Sequence, residues 1–200
     1  MRYSVAPRGQ LGLQIYFFLP LQPKQYFKNM FEIEKYIRDI HDWPKAGVLF
    51  KDITPLLGSP EATSFCLSEL IRLIDKQPID KVVGIESRGF FFATLLAKEL
   101  GAGFVPIRKP GKLPYNTLKE PYALEYGMDA IEIHEDSIKK GDRILLHDDV
   151  LATGGTARAA CTLIEKLGGE IIQCNFLIEL AFLQGAQKIK EHEIRSMLTY

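Results

Sequence analysis

Two adjacent acids, Asp148 and Asp149, close an apolar run, and a segment of small residues follows them. Residues 143–156 read Arg-Ile-Leu-Leu-His-Asp-Asp-Val-Leu-Ala-Thr-Gly-Gly-Thr. If a helix opens at the end of this run, the amides of Ala152 to Thr156 can face a phosphate dianion, because helix N-termini present unpaired N–H groups. Thr153 and Thr156 add hydroxyl donors, and Gly154 and Gly155 allow close backbone approach. The acid pair would repel a phosphate. Carboxylates accept hydrogen bonds, so the vicinal hydroxyls of a sugar are their natural partners, and one of them can also hold Mg2+ through water. A sugar phosphate satisfies both halves of the segment. No Gly-Lys-Ser/Thr follows, so this is not a nucleoside-triphosphate loop, and the G-x-G-x-x-G dinucleotide fingerprint is absent.

Other candidates gain meaning beside such a ligand. Arg88 lies at the corner Glu86-Ser87-Arg88-Gly89; alone it reads as a surface arginine, but next to pyrophosphate it is a bidentate clamp. Arg108, Lys109 and Lys112 surround Pro110-Gly111. Such a charge run is commonly a solvated face, and it also suits a loop that closes over an anionic leaving group.

These residues need elements to hold them. Lys81–Glu86, Phe104–Ile107, Arg143–Val150 and Ile171–Leu180 are strand-like, and short strands are expected at Leu124–Tyr126 and Ala130–His134. A helix is expected from Pro60 to about Lys76, with Ser59 as N-cap. Others follow Gly89, to near Leu100, and Thr153, to Leu167, where Gly168-Gly169 stops it. The spacing of Phe31, Ile33, Tyr36, Ile37 and Ile40 predicts a further short amphipathic helix. Residues 109 to about 122 read as a long polar, Pro-rich loop. Alternating strands and helices imply an α/β fold with a mainly parallel sheet, and loops after Glu86, Ile107 and Val150 sharing one crevice.

The chain has 200 residues and a formal net charge of zero. That length suits one domain, and neutrality argues against a broad nucleic-acid surface. Cys66, Cys161 and Cys174 lie in apolar stretches without framework spacing, which fits reduced thiols and a cytoplasmic setting. No spanning segment is evident. Residues 1–29 resemble a signal peptide in part, but Gln14 and Pro20 interrupt the apolar run and no small-residue cleavage site follows. They are expected to be a non-functional extension before a single domain at 30–200.

The segment HDDVLATGGT closely resembles the phosphoribosyl-pyrophosphate motif of type I phosphoribosyltransferases, in the version found in adenine phosphoribosyltransferases. The resemblance runs from about Phe31 to Tyr200 through WPKAGVLFKDITPLL (43–57), GIESRGFFF (84–92), VPIRKPGKLP (105–114) and YALEYG (122–127). It implies a central, mainly parallel sheet flanked by helices with a flexible hood loop. It also implies the transfer of phosphoribose to adenine with release of AMP and pyrophosphate, a purine-salvage reaction, and a homodimer. Arg88 and the hood residues Arg108, Lys109 and Lys112 then bind pyrophosphate. Glu125 handles the proton on the imidazole side of adenine, and Tyr126 positions the closed loop. Phe50 and Val150 sandwich the base, while backbone groups of Leu49 and Lys51 read its amine edge. Mg2+ is held mainly by substrate and water, with Asp148 or Asp149 assisting.

The chain departs from the family pattern at Lys51 (usually Arg), Ala46 (commonly Pro), His147 (usually aliphatic) and Val150 (usually Leu). His147 reads as a core histidine, or else as a group that makes activity respond to pH near 6.5. Two rival functions are transfer to hypoxanthine, guanine or xanthine, and ligand sensing without catalysis. The second normally requires an added DNA-binding domain, for which about 30 extra residues are too few.

Overall fold

The computed structural model describes residues 31–74, 77–123 and 127–200. The expected N-terminal extension and the strand at Leu124–Tyr126 lie outside the described residues. A 3₁₀ turn at Ile33–Tyr36 leads into β1 (Arg38–His41), which pairs antiparallel with β2 (Leu49–Asp52). The helix expected over Phe31–Ile40 is therefore replaced by a turn and a strand. The β-branched Ile33, Ile37 and Ile40 suit this outcome, and the ladder from Arg38↔Asp52 to His41↔Leu49 outweighs the local period.

The short α1 (Thr54–Leu57) precedes α2 (Pro60–Leu73). Ser59 caps α2 as its type suggests, its hydroxyl accepting from the Ala62 amide at 3.2 Å. There follow β3 (Lys81–Ile85), α3 (Gly89–Leu100), β4 (Gly103–Ile107), β5 (Thr117–Ala123), β6 (Met128–His134) and β7 (Arg143–Leu151). The chain continues through α4 (Gly155–Lys166), β8 (Glu170–Glu179) and β9 (Ile194–Thr199). The loop expected over 109–122 contains β5, which pairs with β6 from Thr117↔His134 to Ala123↔Met128. Pro121 weakens the sequence signal, yet it is tolerated because β5 has an unpaired edge in this two-stranded sheet. Strand β9 carries no strong local signal and was not anticipated.

The main sheet has five parallel strands in the order β4-β3-β7-β8-β9. Its strands alternate side chains between two cores. Val82 and Leu145 pack with Leu70 of α2 and with Phe92 and Leu96 of α3. Their neighbours Val83, Ile85, Ile144 and Leu146 pack with Ala157, Leu163 and Ile164 of α4. Helices thus cover both faces, the layering a parallel sheet requires. Among the described residues no helix is long and apolar enough to cross a membrane.

Candidate active site

Strand β3 has β4 on one side and β7 on the other, so successive connections leave it in opposite directions. A crevice opens at the carboxyl ends of strands where the order reverses in this way. The corner after β3 and the turn after β7 meet there, lining a cleft of about 610 Å3. Leu49, Phe50, Lys51, Arg88, Lys109, Asp148, Asp149, Val150, Ala152, Thr153 and Thr156 all border it. Gly154 and Gly155 border an adjoining cavity of about 70 Å3, together with Thr153 and Thr156.

The acids sit at the end of β7. Asp149 is 5% exposed, and Arg88 Nε lies 2.8 Å from its Oδ2. Asp148 Oδ1 accepts the Asp149 amide at 2.9 Å. Burial pushes the Asp148 carboxyl well above its ordinary range, and the adjoining acid adds to the shift. Burial also raises Asp149, with Arg88 opposing it. One guanidinium therefore faces two carboxyls. The Asp149 contact is an ion pair without an aligned hydrogen bond, which leaves a buried Oδ2 lone pair for a ligand. Two carboxyls sharing one guanidinium offer oxygen ligands that suit a hard cation such as Mg2+ as well as sugar hydroxyls, so these residues fit the metal the family implies.

The glycines also meet a need for space inside the protein itself. Gly154 has φ +75°, and a Cβ there would lie 2.2 Å from the Gly185 carbonyl oxygen. The close neighbour is the protein's own backbone. Similarly, a Cβ on Gly89 would meet Asp148 Oδ1 at 2.6 Å, so Gly89 lets α3 start against the acid pair. Helix α4 begins at Gly155, two residues later than expected, which leaves Thr153 and Gly154 in the turn.

The basic loop is divided in use. Arg108 Nε and Nη2 both bond the Glu86 carboxylate, at 3.1 and 3.2 Å. Arg108 and Lys112 are not among the residues bordering the cleft, whereas Lys109 is. The Lys109 amine bonds the Tyr122 hydroxyl at 2.7 Å and also pairs with Asp129. Glu132, 6% exposed, accepts the Gly111 amide at 2.9 Å and so ties this loop to β6. Glu125 and Tyr126 lie outside the described residues. On β2, the Phe50 ring meets Trp43 edge-on with centroids 4.4 Å apart, and the Arg88 guanidinium lies 4.6 Å from the Phe50 centroid. Arg88 Nη1 also donates to the Lys51 carbonyl at 3.3 Å. Glu86, Tyr122 and Asp129 escaped the sequence reading of the site. Glu86 and Tyr122 stand in the landmark segments, but nothing local shows that they hold the basic loop.

His147 is fully buried, and its Nδ1 lies 3.1 Å from Asn175 Oδ1. Burial pushes its pKa down to about 4, far from a switch near neutrality. Since an unfolded histidine binds a proton below about pH 6.5, acidification favours unfolding until the native state also protonates. At pH 5 this is expected to cost about 2 kcal/mol. Urea unfolding of the wild type and His147→Leu at pH 7.5 and pH 5 should show that much extra acid sensitivity in the wild type. Comparing the two proteins removes the opposing contribution of the acid pair.

The Phosphoribosyl transferase domain family matches residues 61–197. The adenine phosphoribosyltransferase of Flavobacterium johnsoniae is 64% identical over 169 residues, covering 84% of this chain and 99% of its own. The crystal structure of the adenine phosphoribosyltransferase from Rhodothermus marinus superposes with a TM-score of 0.81 at 51% identity, covering 84% of this chain and 96% of its own. The Saccharomyces cerevisiae enzyme, complexed with adenine and an imino-altritol bisphosphate, has a TM-score of 0.79 at 37% identity, covering 83% and 96%. The chain belongs to the type I phosphoribosyltransferases and, within them, to the adenine phosphoribosyltransferase family.

Proposed function

We infer that this chain carries out its family's reaction: adenine and 5-phosphoribosyl-1-pyrophosphate give AMP and pyrophosphate, a pentosyl transfer of purine salvage. In the division of roles we propose, Ala152, Thr153, Gly154, Gly155 and Thr156 hold the 5′-phosphate, and Asp148 and Asp149 hold the ribose hydroxyls. Arg88 and Lys109 bind the pyrophosphate, with Arg108 and Lys112 joining as the loop closes. Phe50 and Val150 sandwich adenine, and the backbone of Leu49 and Lys51 reads its edge. Glu125 manages the imidazole proton, and Tyr126 positions the loop.

The observation that carries this reading is the Arg88–Asp149 ion pair at 2.8 Å. It puts Arg88 against the acid pair in a cleft also bordered by Ala152, Thr153, Thr156 and Phe50, which supports giving the leaving group to Arg88 and the sugar to the acids. As pyrophosphate departs, C1 gains positive charge and adenine attacks from the opposite face. Fixed donors then act mainly by positioning and electrostatics. Asp148 or Asp149, together with substrate oxygens and water, would hold Mg2+, which would supply positive charge beside the departing pyrophosphate. The apolar strip of Phe90, Phe91, Leu57 and Leu95 supports a homodimer joined through the outer side of α3. Three free, buried cysteines support a reducing, cytoplasmic setting.

The test is formation of AMP by purified protein from adenine, the activated sugar and Mg2+, with hypoxanthine as the competing base. AMP should form, and chelation by EDTA should stop it. Preferential IMP formation would point to another base, and sugar binding without turnover would point to a sensor.

A further inference from the structure

Strand β2, which supplies the proposed base-reading residues, is hydrogen-bonded to β1 and stands apart from the five-stranded sheet. Side chains must therefore hold this hairpin at its working distance from the cleft. Ile37 and Ile53 anchor it from just outside its two strands. Between them lies Lys51, only 8% exposed despite its charge. Its ammonium contacts Asp39 Oδ1 at 2.7 Å and stands 3.8 Å from the centroid of the Tyr200 ring.

The two contacts differ in kind. Asp39 is the ladder partner of Lys51 and belongs to the same hairpin, so this ion pair cannot fasten the hairpin to anything else. Tyr200 belongs to the main body. Its amide donates to the Glu179 carbonyl at 2.9 Å, and its carbonyl accepts from the Ala181 amide at 2.9 Å. A ring face carried on this backbone is attractive to an ammonium and replaces part of its lost hydration. The Lys51 carbonyl is meanwhile held by Arg88.

We propose that Tyr200 is a positioning residue for adenine. Acting through the Lys51 side chain, its ring sets where the backbone of Leu49 to Lys51 stands in the cleft. The inference rests on the reading above that this strand recognises the base. It also explains how lysine serves where the family usually has arginine, since either cation can sit on the ring.

Steady-state kinetics on the full chain, varying adenine and the activated sugar separately, test it. Tyr200→Ala should raise the KM for adenine about fivefold while leaving kcat and the KM for the sugar near wild type. Tyr200→Phe should restore the adenine KM. Tyr200→Leu keeps apolar bulk without the ring face and should resemble the alanine variant, so the comparison survives if that variant folds poorly. In a Lys51→Met background, removing the ring should add nothing. An unchanged adenine KM in both Tyr200→Ala and Tyr200→Leu overturns the proposal. So does a parallel rise in both KM values that phenylalanine does not correct. Phe50→Ala in the same series separates the two readings. If it leaves the adenine KM unchanged, the assignment of the base end fails; if it alone raises that KM, only the role of Tyr200 fails.

Discussion

Glu125→Gln should lower kcat by about a hundredfold to ten-thousandfold, the range expected for loss of a general acid–base group, while the protein still binds the activated sugar. Glutamine keeps the size and hydrogen-bonding reach of glutamate but cannot exchange a proton with the imidazole side of adenine. The described residues that precede it in the chain lie at the cleft. Tyr122 borders the cleft, and the Ala123 carbonyl lies 3.2 Å from where a Cβ on Gly155 would stand. The end of β5 therefore abuts the turn at 152–156, and Glu125 follows two residues further along the chain. Calorimetry with the activated sugar should give similar affinities for both. An undiminished kcat would remove Glu125 from the chemistry.

Gly154→Ala should lower kcat/KM for the activated sugar by about a hundredfold, the scale of a roughly 1 Å misplacement in a site that works by positioning. Two costs combine. A left-handed backbone disfavours any residue with a Cβ by roughly 1–2 kcal/mol. The added methyl would also lie 2.2 Å from the Gly185 oxygen, so the turn or the segment carrying Gly185 must move. Gly101→Ala separates the two costs. Gly101 has φ +65° with nothing within 4 Å of a built Cβ. That variant should lose stability from backbone strain alone and keep its activity. If both variants melt at similarly reduced temperatures and only Gly154→Ala loses activity, displacement of the turn is the cause. Equal activity in the two would show that the turn tolerates the shift.

The strands and helices of the main body were legible because each carries its own signal. β3 and β7 are short apolar runs, Ser59-Pro60 announces α2, and Gly168 ends α4. The hairpins were poorly legible. β1 and β2 are only four residues each, and helix-like spacing in 31–40 concealed the first of them. β5 contains Pro121, and β9 is recognisable only once β8 lies beside it. In each case the stabilising partner is another strand outside the segment itself, so no local period reports it.

The site divides in the same way. The turn of small residues, the acid pair and the basic loop stand out as candidates from residue types alone, since charge and hydrogen-bonding capacity are intrinsic to side chains. Which cation meets which anion does not. Arg108 and Lys109 are adjacent in sequence, yet one is bound to Glu86 and the other enters the cleft. Glycine at 154 was legible as a need for space, but the obstructing atom, the Gly185 oxygen, belongs to a segment more than 30 residues away. The Tyr200 ring under Lys51 has no trace in either residue's neighbourhood. The sequence determined what chemistry the chain carries, because that is written in functional groups. Only the tertiary structure decided which groups are paired, buried or left available, because those depend on distances that folding alone sets.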